Sequence, residues 1–234
     1  MLYRIAELNV EVPEAGGMAP RCREYLTDTG TADIVLKTED YMLNLWPNLS
    51  YEHQCYMESG ILFYIELLKF NGMMLHASAV EYEGKAYLFS GPCGVGKSTH
   101  ARLWQQIFGE SAQVFNDDKP ALRLVDGRWY AYGTPWCGKD GINQNKKVPL
   151  AGICFLKQGS SNSIRPLTKK EAVIATMGQT RVFFKYPQSL QRMTVLLDKL
   201  IRQIPVWELE NVADPAAARL SYETMHQAAL ELGL

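Results

Sequence analysis

Residues 3 to 12, beginning Tyr3-Arg4-Ile5-Ala6-Glu7-Leu8-Asn9-Val10, alternate apolar and polar side chains, and so do residues 33 to 37. That period of two is the pattern of half-buried strands, and the Pro13-Glu14-Ala15-Gly16-Gly17 loop after the first predicts a small N-terminal sheet. The period then lengthens. Over Tyr51 to Phe70 an apolar stripe at Ile61, Tyr64, Ile65 and Leu68 predicts a helix packed on a core, closed by Asn71-Gly72. Three apolar runs follow. Met74 to Val80 reads as a buried strand carrying His76, Ala86 to Phe89 as a second strand, and Gln113 to Asp118 as a short third.

Beyond these, Ala121–Leu124 and Arg128–Tyr132 flank Asp126-Gly127, the signature of an antiparallel hairpin. A polar loop over Gly133 to Lys147 returns to strand at Val148 to Leu156. In that loop Trp136 is a candidate wall for an acceptor pocket, Lys139 a candidate phosphate contact, and Lys146-Lys147 a solvated tip. The last third reads mainly helical. Thr168-Lys169-Lys170-Glu171 is a capping box opening a helix to about Met177, a second helix is expected over Gln188 to Gln203, and Pro205 to Leu209 reads as a strand. Asp214-Pro215 starts a final helix. Arg181, Lys185, Arg192 and Arg202 in this region are candidates to reach an anionic ligand.

Composition narrows the class. The 234 residues are 47% hydrophobic, enough for a sizeable core, and the formal charge of −1 gives no basic balance for nucleic acid and no polybasic run for a membrane surface. No apolar stretch reaches membrane-spanning length, and Met1-Leu2-Tyr3-Arg4 does not read as a signal peptide, so a cytoplasmic location is expected. Cys22, Cys55, Cys93, Cys137 and Cys154 are scattered without a CxxC pair, which fits reduced thiols rather than disulfides or zinc. His53, His100 and His226 have no chemical context and read as structural or surface residues.

The chemistry concentrates between the second and third apolar runs. Gly91-Pro92-Cys93-Gly94-Val95-Gly96-Lys97-Ser98 spells a complete phosphate-binding loop between a strand and a helix expected over Lys97 to Phe108, with Thr99 next. The glycines let successive backbone N–H groups converge on phosphate oxygens, Lys97 adds a mobile cation, and Ser98 offers a hydroxyl to Mg²⁺. A nucleoside triphosphate is the expected ligand. Asp117 and Asp118 then supply two carboxylates: one to hold the metal, the other to take a proton from an attacking hydroxyl, and the spacing leaves open which does which.

In order, "LHASAV", "GPCGVGKST" and "NDD" resemble the catalytic domain of the HPr kinase/phosphorylases and, more distantly, the ATP-dependent phosphoenolpyruvate carboxykinases, over roughly residues 72 to 156. The resemblance implies an α/β fold: a P-loop-containing mixed sheet of the HPr kinase/carboxykinase type, with a small N-terminal β-rich elaboration and a helical C-terminal part. Residues 1–70 would be strands plus a helix packed on the core, and 71–234 the kinase-like catalytic domain, together one compact unit. It implies ATP with Mg²⁺ or Mn²⁺, Asp118 and Ser98 on the metal, Asp117 as the base, Lys97 on the phosphates and His76 as a site residue. The chain lacks a clear copy of the HPr kinases' separate N-terminal domain and of their C-terminal signature stretch. The acceptor is therefore left open between a serine of a protein or peptide and a small hydroxylated metabolite. A nucleotide-binding regulator without transfer activity, and carboxykinase-like chemistry on a small acid, are the alternatives; a homo-oligomer is compatible with all of them.

Overall fold

Two strands, not one, come from the first alternating stretch. In the computed structural model, which describes residues 1–12, 19–37, 48–180 and 187–233, β1 (Leu2–Ile5) and β2 (Leu8–Glu11) pair antiparallel. The turn between them is Ala6-Glu7, with φ of 49° and 63°. Neither residue is the Gly or Asn that advertises such a two-residue turn, so the sequence hides it. A third strand, β3 (Ile34–Val35), joins β2 in parallel. The expected Pro13–Gly17 loop lies outside the described residues, as do Arg181 and Lys185.

A four-residue helix, α1 (Ala19–Cys22), precedes the longer α2 (Tyr51–Leu67), which Ser50 caps by accepting from the His53 amide. The chain leaves α2 through a short 3₁₀ turn and the left-handed Asn71 (φ 55°). The buried face is shifted from the predicted stripe: Tyr64 and Leu68 are buried as expected, together with Phe63 and Leu67, whereas Ile61 and Ile65 are only half-buried. Gly60 lets the helix pack closely on Trp136, whose ring a Cβ there would meet at 2.7 Å. Trp136 stacks on Phe63 with centroids 4.6 Å apart and donates its indole N–H to Ser59.

Among the described residues the large sheet has nine strands: β4 (Gly72–Met74), β5 (Ala77–Tyr82), β6 (Lys85–Ser90), β7 (Ala112–Asp118), β8 (Ala121–Val125), β9 (Arg128–Tyr132), β10 (Lys147–Gln158), β11 (Ser163–Pro166) and β12 (Val206–Asn211). They run β4-β8-β9-β10-β6-β5-β7, with β12 also pairing β10 and β11 at its side. The twelve-residue β10 makes this mixed sheet curl: its start is antiparallel to β9, and its remainder lies parallel to β6 and β12. β11, in the part of the chain read as mainly helical, was not foreseen.

Alternation sorts the two faces of β6. Ala86 and Leu88 point to a core completed by α4 (Lys169–Gln179) and α5 (Pro187–Gln203). Tyr87 and Phe89 point to one completed by α3 (Lys97–Phe108) and α6 (Pro215–Glu231). β6 is thus buried on both faces, as its unbroken apolar run requires. The capping box at Thr168 and Glu171 and the Asp214 cap on the Ala217 amide are formed as their sequences predict. Among the described residues no helix is long and apolar enough to cross a membrane.

Candidate active site

The expected strand Met74 to Val80 breaks in two at Leu75-His76, and the break makes the site. At His76 the backbone leaves β4, its amide donating to the Gln179 carbonyl at the end of α4 (2.8 Å), before β5 begins at Ala77. The ring is fixed at both nitrogens: Nδ1 lies 3.1 Å from Gln179 Oε1 and Nε2 lies 3.1 Å from Asp118 Oδ1.

β6 runs directly into the glycine-rich turn, and α3 begins at Lys97. Gly91 adopts φ 144°, and a Cβ there would press on Val95 Cγ1 at 3.0 Å and the Leu156 carbonyl at 3.1 Å, so both conformation and space demand glycine. Gly96, at φ 105°, aims the first amides of α3 at the mouth of the turn, where an α-helix leaves them unpaired. Lys97, only 8% exposed, folds back to donate to the carbonyls of Gly91 (3.0 Å) and Pro92 (3.1 Å). Burial pulls its pKa down, against the opposing pull of Asp118, Cys93 and Asp117.

β7 carries the two carboxylates. Asp117 is 6% exposed, and its Oδ1 accepts from Ser98 Oγ at 3.0 Å and from Ser78 Oγ. Asp118 takes a left-handed φ of 102°, which ends the strand's alternation, so that both carboxylates border one cleft instead of opposite faces. The turn is braced from behind. The Lys119 carbonyl accepts from the buried hydroxyls of Tyr64 (2.6 Å) and Thr134 (2.8 Å).

The cleft holds about 530 Å³ and is lined by His76, Cys93, Gly94, Gly96, Lys97, Ser98, Thr99, both aspartates and Gly138 to Asp140. Gly91, Pro92 and Val95 do not line it; Pro92 and Val95 face a separate hollow of about 330 Å³ beside Leu156, Lys157 and Gln158. A further cavity of about 250 Å³ meets the cleft at His76 and Asp118, walled by Met57, Met74, Lys119 and the Gly178–Thr180 end of α4. The His76–Asp118 pair therefore stands between two chambers.

The exposed Lys139 lines the cleft. Trp136 does not wall it, being buried in the core, where it borders a small apolar hollow shared with Met57 and Met74. Lys146 and Lys147 form no loose tip: Lys146 binds Glu81 (2.7 Å) and Gln113 (2.9 Å), and Lys147 binds Glu7 (2.8 Å). His100 is buried against Ser221, its pKa depressed by burial to about 4, while His226 bonds Tyr87 and His53 bonds Ser50. Arg202 pairs with Asp198 on the surface of α5, and Arg192 is exposed on the same helix. Three contributors were not singled out from the sequence. Ser78 follows His76 at the same-face spacing of two, Lys119 directly follows the double Asp and pairs with Asp118, and Gln179 has no local signal at all.

For Asp118, burial would raise the carboxyl, but the His76 hydrogen bond and the Lys119 ammonium outweigh it and hold it at about 2. A depressed carboxylate contributes stability that is complete above its unfolded value, near 4, and lost as pH falls toward 2, on the order of 2 kcal/mol. The stability gap between wild type and Asp118→Asn, measured by urea unfolding, should accordingly shrink from about pH 5 to about pH 2.5. A gap that does not change contradicts this.

A Mg²⁺ ion fits the oxygen donors here. Ser98 and Asp117 offer a hydroxyl and a buried carboxylate 3.0 Å apart, and among the described residues no group of three His, Cys, Asp or Glu side chains forms a cage. Mg²⁺ typically takes one or two protein oxygens and completes its shell with phosphates and water.

Residues 53–213 match the family model described as "ScmC: SynChlorMet cassette protein ScmC". No curated protein matches the chain significantly. Among solved structures, similarity is found to "Structure of the Hpr(Ser) kinase/phosphatase from Coxiella burnetii", with 11% identity, coverage of 68% of this chain and 92% of that one, and a TM-score of 0.40. That overlap is too loose to carry residue roles across, so the likeness to HPr kinases rests on the order of motifs in the sequence.

Proposed function

The chain belongs to the SynChlorMet cassette protein ScmC family, and we propose that it is an ATP-dependent phosphotransferase that moves the γ-phosphoryl group to a hydroxyl of a protein or peptide serine or of a small metabolite. One observation carries the reading. Ser98–Asp117 on the loop side and His76–Asp118 on the far side border a single cleft at the mouth of the glycine-rich turn.

The roles implied for the two aspartates exchange in this proposal. Asp117, bonded to the Ser98 hydroxyl, is the metal-side carboxylate, and Asp118, at the junction with the second chamber, meets the acceptor. Mg²⁺, when bound, neutralises β- and γ-phosphate charge. Lys97 leaves the Gly91 and Pro92 carbonyls for phosphate oxygens, and the amides of the turn hold the rest of the triphosphate. The acceptor hydroxyl enters from the 250 Å³ chamber and hydrogen-bonds Asp118. Its oxygen bonds to the γ-phosphorus as the bridge to the β-phosphate breaks and ADP leaves, and the proton passes to the Asp118 carboxylate. A carboxylate held near 2 is a weak base. Its service is to orient the hydroxyl and accept the proton late, once bonding to phosphorus has made it acidic, which a loose transition state allows. His76 and Lys119 fix that carboxylate in place.

Incubation with γ-labelled ATP, Mg²⁺ and a cell extract tests the function: label in a protein or small-molecule fraction is expected, and ATP that binds without any transferred label would favour the regulatory alternative. Metal dependence follows from the Ser98–Asp117 pair. Chelation should lower ATP affinity at least about tenfold in calorimetry, with recovery on adding Mg²⁺ or Mn²⁺; binding indifferent to metal contradicts the assignment.

A further inference from the structure

Arg21, on α1 and ahead of the family-matched residues, reaches the rim of the cleft. Its Nη1 lies 3.0 Å from the Cys137 carbonyl and 3.2 Å from the Gly138 carbonyl, with Cys137 Sγ and the Tyr56 hydroxyl also at 3.2 Å. The guanidinium lies over the Tyr56 ring, 4.7 Å from its centroid, and Tyr56 donates to the same Cys137 carbonyl at 2.6 Å. The next peptide reaches the catalytic strand. The Gly138 amide donates to the Asp117 carbonyl at 2.7 Å, and a Cβ on Gly138 would sit 3.5 Å from Asp118 Cβ. Beyond it the segment follows β7, with the Asp117 amide bonded to Ile142 O and the Gln144 amide to Phe115 O.

We infer that Arg21 is a positioning residue for the nucleotide cleft. It lines neither the cleft nor the adjoining chamber. By gripping two consecutive loop carbonyls it holds Gly138 against the aspartate pair and keeps Lys139, whose neighbours line the cleft, turned toward the phosphates. The N-terminal unit thereby takes part in the site that the family-matched residues build. The inference rests on the phosphotransferase reading for its ligand, but the clamp itself concerns only the chain.

Arg21→Ala in the full chain should weaken MgATP binding by about tenfold in calorimetry, since an aligned charged clamp is lost while every nucleotide contact remains. The melting temperature without nucleotide should stay within a few degrees of wild type. Arg21→Lys, whose ammonium still reaches a loop carbonyl, should recover part of the affinity. Hydrogen exchange at the Gly138 amide should quicken in Arg21→Ala with no change along β6. Unchanged affinity in Arg21→Ala, where wild type binds MgATP, overturns the inference, and so does a loss of affinity accompanied by general destabilisation. A wild-type chain that binds no MgATP would instead defeat the phosphotransferase reading, and unaltered Gly138 exchange would then still overturn the clamp.

Discussion

Lys97→Ala is expected to abolish detectable phosphoryl transfer and to weaken MgATP binding at least about a hundredfold. The ammonium is the one cation the glycine-rich turn itself supplies, and it is 8% exposed, satisfied by two neutral carbonyls at 3.0 and 3.1 Å. Burial already presses it toward the neutral form, so a polyphosphate offers compensation that the carbonyls do not. Arginine should not rescue the loss, because a planar guanidinium cannot replace a compact point charge in this space. Calorimetric titration of MgATP decides the matter. Wild-type affinity in the alanine variant would remove Lys97 from the site.

The second large effect separates the two carboxylates. Asp118→Asn keeps shape and hydrogen-bonding reach but removes the charge and proton affinity that orient the acceptor, so transfer should fall by on the order of 10²–10⁴-fold while MgATP still binds. Asp117→Asn should do the opposite first: it loosens the Ser98 side of the cleft and lowers the metal-dependent part of nucleotide affinity. Measuring MgATP affinity and turnover side by side for both variants distinguishes the outcomes. The reverse pattern would restore the roles that family resemblance implies. Transfer untouched by either substitution would remove both aspartates from the mechanism.

What the sequence disclosed was whatever is encoded locally. The turn at 91–98 and the helix after it, the Asp126-Gly127 hairpin, and the caps at Thr168 and Asp214 each rest on neighbours a few residues apart, and each is present. What it withheld depends on distant partners. The break at His76 is held by Gln179, more than a hundred residues on, and the left-handed φ of Asp118 is held through Lys119 by Tyr64 and Thr134. Asp118 has no glycine to betray its φ, although Lys119-Pro120 does signal that the strand ends there, as it does, so that the pair need not stay on opposite faces. Hence the sequence could identify the double Asp but not which carboxylate would meet Ser98. Arg21 escaped for the same reason, since its acceptors at Cys137 and Gly138 are known only once the chain has folded.

The most direct test is a crystal structure with Mg²⁺ and a non-hydrolysable ATP analogue. The account predicts the triphosphate wrapped by residues 91–99, Lys97 turned from the Gly91 and Pro92 carbonyls onto phosphate oxygens, the metal against Ser98 and Asp117, and the γ-phosphate facing Asp118 and His76. A nucleotide bound elsewhere, or one whose γ-phosphate points away from the His76–Asp118 pair, would contradict it.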